Sequence, residues 1–240
     1  MTLQGPQRTA LEKAISPDRL HTYRSEAASR GCDHLDLYVW DRDTAAAAMA
    51  DIAILEVAMR NAMNDALARL AGRPDWYSVE LGLDDRSLKA VAKAWVEVPP
   101  ARRTPGRVVA QLMFGFWRNL LEVGGHYGAG PRRQQARYET LWVREISKAF
   151  PGGRAEARTT GGQFTRAWTL GVVKEVHALR NRAAHHEPLV KGFPMPGENR
   201  RLALQQGLDA CLKLSRLLDR DLAGWLSANS QLAQALTRAP

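Results

Sequence analysis

Cysteine is nearly absent from this chain: 240 residues contain two, Cys32 and Cys211. Two thiols so far apart exclude a disulfide framework and a zinc knuckle, and they read as reduced. Long apolar runs are missing too. No segment approaches the roughly 20 residues that a helix needs to cross a bilayer, and Met1 to Ala14 carries Arg8 and Lys13 but no apolar signal core. The expectation is a cytoplasmic protein with no membrane contact. Alternating β-branched stretches are lacking, which argues against a sheet. No Gly-x-x-x-x-Gly-Lys loop is present to cradle phosphate and no Gly-x-Ser-x-Gly elbow to expose a nucleophile, so nucleotide-hydrolase and serine-hydrolase readings lose support. His186-Glu187 begins a zinc-protease pattern, but Val190 stands where the second histidine must fall. His177 and His185 point about 80° apart on an ideal helix. No metal and no cofactor is expected.

Acidic residues are in the minority, 25 against 34 Lys and Arg, for a net charge of +9. That balance favours an acidic partner, and RNA fits it better than a small neutral metabolite. The basic residues are scattered, with local groups at Arg102-Arg103-x-x-x-Arg107 and Arg132-Arg133-x-x-x-Arg137. Arg132, Arg133 and Arg182 are candidate RNA contacts. An Ala, Arg and Gly bias offers a purely compositional source for part of this charge.

What is plentiful is helix signal, and an apolar content of 45% is ample for a core. Ser16-Pro17-Asp18 reads as a cap opening a helix that Gly31 ends. A short helix holds Leu35, Leu37, Val39 and Trp40. Asp43-Thr44 then caps an alanine-rich helix running to about Leu70 and stopped by Gly72 and Pro74. Thr104-Pro105 opens a helix through Leu121, ended by Gly124-Gly125, and Pro131 begins one that finishes at Phe150-Pro151-Gly152-Gly153. After a polar loop, Thr159 to Gly162, comes a helix ending at Pro188. Asn199 to Trp225 reads as one long closing helix, with a short one after Ser227. The Gly- and Pro-rich segments Gly124 to Pro131 and Lys191 to Glu198 are loops, not linkers. The expected organisation is a flexible segment over 1–15, one all-helical domain over 16–226 and a short helix or tail over 227–240. Phe114-Gly115-Phe116-Trp117 shares helical spacing with Val108, Leu112 and Leu120. It reads as core, as do Trp40, Trp76, Trp95, Trp142, Trp168 and Trp225.

The chemistry-bearing stretch is Arg180-Asn181-Arg182-Ala183-Ala184-His185-His186-Glu187-Pro188. Pro188 disfavours the α region for Glu187, so the helix stops within a residue or two of it. Upstream, Trp168, Val172, Val173, Val176, Leu179 and Ala183 form an apolar stripe that seats the helix on a core. Both imidazoles then sit at the negative end of the backbone dipole, with Glu187 acting in the same direction. A guanidinium that grips phosphate, with an imidazole to move a proton, is a minimal kit for cleaving RNA through its own 2′-hydroxyl. Arg180 and His185, five residues apart, do not touch inside a straight helix. They converge only if the last turn unwinds or two copies of the helix meet. A structural reading stands beside this one: Arg182 and His186 cap orphan carbonyls at the helix end. A second polar cluster is Glu56, Arg60 and Asn61, where Glu56 and Arg60 share a helix face. On the residues alone, that pair reads as an internal ion pair that satisfies Arg60.

Arg180-Asn181-x-x-x-His185 resembles the Arg, polar residue, spacer, His signature of the HEPN superfamily, and His186-Glu187-Pro188 resembles its Abi-like (abortive infection) branch. Similar blocks occur in order at Tyr23-Arg24, Arg30-Gly31, Leu37-Tyr38-x-Trp40, Leu55-Glu56-Val57-x-x-Arg60-Asn61-Ala62, Trp76-Tyr77 and Phe114-Gly115-Phe116-Trp117, over roughly residues 20 to 215. The resemblance implies an all-α, HEPN-like helical bundle with flanking helices, commonly a homodimer. It implies a metal-independent endoribonuclease serving in phage defence or as a toxin, answering to an antitoxin or a phage trigger. Arg180, Asn181 and His185 would be catalytic, with His186, Glu187, Glu56, Arg60 and Asn61 in support. Catalytically silent members, in which the helices only mediate association, supply the alternative of an RNA- or protein-binding dimer.

Overall fold

The computed structural model describes residues 5–240, and they are mostly helical. In chain order the helices are α1 Gly5–Ala14, α2 Pro17–Arg30, α3 His34–Ala71, α4 Asp85–Glu97, α5 Pro105–Ala110, α6 Phe114–Asn119, α7 Tyr138–Arg144, α8 Gly153–Thr159, α9 Arg166–Ala184, α10 Leu204–Leu218, α11 Arg220–Asn229 and α12 Gln231–Leu236. Two short antiparallel ladders interrupt them. Strand β1 (His126–Tyr127) pairs with β2 (Gln134–Gln135), and β3 (Phe193–Pro194) pairs with β4 (Arg201–Leu202). The expectation of no sheet at all therefore fails at two hairpins, each too short to show an alternating pattern. Among the described residues, no helix is long and apolar enough to cross a membrane.

Local cap chemistry places the ends well. Ser16 Oγ accepts the Arg19 N–H, Pro17 begins α2, and Gly31 closes it with a left-handed φ of 68°. Thr104 caps α5 and Ser230 caps α12. The expected flexible segment over 1–15 contains α1; its first four residues lie outside the described residues.

Elsewhere the elements run differently from the sequence reading. The expected break at Asp43-Thr44 does not occur, and α3 runs unbroken for 38 residues. Its start is capped by Asp33, whose carboxylate accepts the Leu35 and Asp36 N–H groups. Asp43 pairs with Arg42, and Thr44 is buried inside the helix. Nothing between Leu37 and Ala48 is a helix breaker, so the cap signature yields to propagation. The segment from Thr104 to Leu121 splits into α5 and α6, and the one from Pro131 to Phe150 holds β2, α7 and a short 3₁₀ turn, not one helix. The closing helix splits between α10 and α11, where Asp219 accepts the Leu222 N–H. Helix α8 lies where only a helix end and a loop were expected.

The chain divides into two compact units. One comprises the chain up to Ile54, Glu175–Leu212 and the chain from Trp225; the other comprises Leu55–Lys174 and Lys213–Gly224. In the first, Leu20, Tyr23, Ile52, Val176, Leu179, Phe193 and Leu208 are buried. Gly207 lets α10 close on this core, because a Cβ there would stand 2.9 Å from Leu179 Cδ2 and 3.0 Å from Phe193 Cε1. In the second, Trp76, Phe116 and Trp117 form an aromatic cluster, with Trp76 and Phe116 stacked at 6.1 Å and Phe116 edge-on to Trp117 at 5.0 Å. The core reading of Phe114-Gly115-Phe116-Trp117 thus holds. Trp95 and Trp225 depart from it, being 42% and 50% exposed.

Candidate active site

The apolar stripe of α9 is buried from Val172 through Ala183, while Trp168 is half-buried. The helix ends at Ala184, earlier than Pro188 alone requires, and the agent is His186. Its φ of +54° is the only positive value among the described non-glycine residues. The His186 N–H donates to Ala183 O at 3.1 Å, and the Glu187 N–H reaches back to Arg182 O at 3.0 Å. These are the paired bonds of a Schellman ending, with histidine in the left-handed position that glycine usually takes.

Side chains from both directions clamp the turn. The Arg182 guanidinium donates from Nε to Pro188 O at 2.9 Å and from Nη1 to the Glu187 carboxylate at 2.7 Å. Burial pulls its pKa down, with Glu187 opposing. On the far side of Pro188, the Leu189 N–H donates to both carboxylate oxygens of Asp41, at 3.0 and 3.1 Å. Asp41 lies on α3, is 3% exposed, and also accepts the Tyr23 hydroxyl at 2.7 Å. Burial pushes the Asp41 carboxyl up from its ordinary value despite these donors, and burial, then the Asp41 charge, pushes the Tyr23 phenol up. Arg30 Nη2 holds Val190 O at 2.9 Å. Arg201 holds Lys191 O and Gly192 O at 3.1 and 2.7 Å. The Lys191 to Glu198 loop after the motif is therefore fixed, as the β3–β4 hairpin, with Phe193 and Met195 buried.

The motif residues divide around this turn. His185, His186 and Glu187 are exposed, and Arg180, Asn181 and Arg182 are half-buried. A pocket of about 480 Å³ opens beside the turn, lined by Arg19 and Tyr23 of α2, by Tyr38, Asp41, Ala45, Ala46 and Met49 among the α3 residues, and by Ala183, Ala184, His186 and Glu187. Arg180, Asn181 and His185 are not among its walls. Glu56, Arg60 and Asn61 belong to the other unit. There Glu56 Oε1 accepts the Phe114 N–H at 3.1 Å, Arg60 is half-buried with no ion pair among the described residues, and Asn61 is exposed. Arg132 and Arg133 are exposed in the connection between β1 and β2.

Asp41 is the residue that sequence reasoning missed. Its signal was present: Leu37, Asp41 and Ala48 recur on one face of α3, so an acid sat on a buried stripe. The chain matches no protein-family model, no curated protein and no solved structure.

Proposed function

We propose that this chain is a metal-independent endoribonuclease of the abortive-infection or toxin type, an Abi-like member of the HEPN superfamily that acts on cytoplasmic RNA as a homodimer. The observation that supports this most is the α9 terminus: two exposed imidazoles on a clamped, non-helical turn, one helical turn beyond the half-buried Arg180 and Asn181. In this reading His185 takes the 2′-hydroxyl proton as the oxygen attacks the neighbouring phosphorus. The 2′-O–P bond forms and the P–O5′ bond breaks. The leaving 5′-oxygen receives a proton from His186 or from the partner chain's copy of His185. Arg180 holds the phosphate and stabilises the added negative charge, with Asn181 donating to the same phosphate or fixing the guanidinium. Glu187 supports the turn through its pair with Arg182, and Arg132 and Arg133 contact the RNA backbone. An antitoxin or a phage component would govern when the enzyme acts.

The test is incubation of wild-type protein and Arg180→Ala with cellular RNA in excess EDTA, with end-group analysis of the fragments. Wild type is expected to leave 2′,3′-cyclic phosphates, and Arg180→Ala to cleave roughly 10²–10³ times more slowly, by analogy with loss of one oxyanion donor. Undiminished cleavage by the variant refutes the role of Arg180. One observation favours a second reading, in which the helices only bind RNA or protein. The Arg182 bonds to Pro188 and Glu187 account for that part of the motif as a helix-ending device. Such a module would leave RNA intact and release it as salt rises.

A further inference from the structure

The pocket beside the α9 terminus has three features of a ligand site. Its size, about 480 Å³, lies in the range of small-molecule sites. Its walls include Ala45 and Ala46 of α3 and Ala183 and Ala184 of α9, side chains too short to fill the gap. One wall is aromatic: half-buried Tyr38 is held edge-to-face against Tyr23, ring centres 5.1 Å apart.

The charges around it are unequal in their availability. The Asp41 oxygens are occupied by Tyr23 and Leu189, Glu187 is paired with Arg182, and Arg42 is paired with Asp43. Arg19 lines the same pocket and has no carboxylate within ion-pair distance among the described residues. His186 lines it too, its ring exposed. The pocket thus offers an aromatic and aliphatic interior with an imidazole and one guanidinium that feels the buried Asp41 charge but is in no ion pair among the described residues, a combination complementary to a flat ring that carries a phosphate.

We propose that this pocket seats one unpaired nucleotide of the RNA, its base against Tyr38 and Met49 and its phosphate toward Arg19 and His186. The identity of the ligand rests on the ribonuclease reading; the pocket itself does not. A base drawn into it anchors the strand beside the His185-His186 turn and makes cleavage depend on an unpaired nucleotide next to the scissile phosphate.

The test separates binding from cleavage. A 2′-O-methyl oligoribonucleotide, which has no attacking hydroxyl, and free AMP are titrated into wild type, Ala46→Leu and Arg19→Ala, with thermal unfolding as the folding control. Ala46 is exposed on α3, so leucine there fills the pocket without burdening the core. Expected is oligonucleotide binding by wild type that each variant weakens about tenfold or more, the scale of one lost stacked base, with unfolding unchanged. Equal affinity in all three proteins, or no binding by wild type, overturns the proposal. AMP binding as tight as the oligonucleotide assigns the pocket to a free nucleotide and overturns the RNA source. Pocket-dependent binding with no cleavage of unmodified RNA by wild type leaves the pocket standing and removes the ribonuclease reading.

Discussion

Replacing Asp41 should loosen the α9 turn from the far side of Pro188, and the size of the effect depends on the replacement. In Asp41→Ala the Leu189 N–H and the Tyr23 hydroxyl both lose their acceptor where almost no solvent reaches. A buried donor without a partner costs about 1–3 kcal/mol. The Tyr23 hydroxyl can turn toward the adjoining pocket, so the expected loss is about 3 kcal/mol, most of it at Leu189. Asparagine has the same shape. Its Oδ1 can accept the Leu189 N–H and its Nδ2 can donate to the Tyr23 oxygen, so Asp41→Asn should cost only about 1 kcal/mol. The charge adds a pH signature. Burial raises the Asp41 carboxyl above its ordinary 3.8. The folded protein then binds this proton more tightly than the unfolded chain, and stability from this group is complete below pH 3.8 and lost as pH rises through the folded value. Asparagine has no such loss. The stability gap between wild type and Asp41→Asn should therefore narrow from pH 4 toward neutrality. Urea unfolding followed by tryptophan fluorescence, at several pH values, measures all three quantities. Asp41→Ala as stable as wild type, or an asparagine gap that widens with pH, refutes the reasoning.

Two further outcomes follow from the same geometry. His186→Gly removes an imidazole from a left-handed position that costs an L-residue roughly 1–2 kcal/mol, offset by the extra freedom of glycine in the unfolded chain. The variant should be neutral or up to about 1 kcal/mol more stable by thermal unfolding, whereas His186→Val should be less stable. Reduced RNA cleavage in the glycine variant is then a chemical effect and not a folding one. In the other unit, Glu156 accepts two bonds from Arg216, at 2.9 and 2.7 Å, and that contact holds its carboxyl below the ordinary 4.5. Stability from a depressed carboxylate is present above its unfolded value and lost as pH falls through the folded one. Glu156→Gln should flatten the acid side of the stability profile below pH 4.5. The change should stay under about 1 kcal/mol because Arg216 is half exposed.

The features legible in the sequence are those decided within a few residues. Ser16, Gly31 and Thr104 act where a cap or a left-handed residue was available to the adjacent turn. The buried stripe of α9 follows from spacing alone. The failures are competitions that local signals cannot settle. Asp43-Thr44 has the chemistry of a cap, but Asp33 caps first and the helix continues because nothing stops it. Asp219 reads as one more polar residue until its carboxylate takes the Leu222 N–H and begins a new helix. At the candidate site, a helix end close before Pro188 was readable, but its place at Ala184 is set by the left-handed His186, which no local signal announced. For Asp41 the spacing on α3 offered a buried acid, but not what it anchors, since its backbone partner Leu189 stands 148 positions away.

The arginines sharpen what the net charge of +9 means. Arg30, Arg103, Arg107, Arg166, Arg182 and Arg201 each donate to main-chain carbonyls at helix ends and in loops. Arg103 also stacks over Trp95, 4.5 Å from the ring centre. Guanidinium suits this work because its several donors satisfy carbonyls that helix termini leave without partners. Two of the residues grouped in Arg102-Arg103-x-x-x-Arg107, which look like a basic patch in the sequence, are thus engaged in closing the chain on itself. The same holds for Arg182 within the motif. Arg132 and Arg133 are different: both are exposed in a hairpin connection, free of such carbonyl bonds among the described residues. Phosphate affinity should therefore track these two and Arg19 more closely than it tracks total charge.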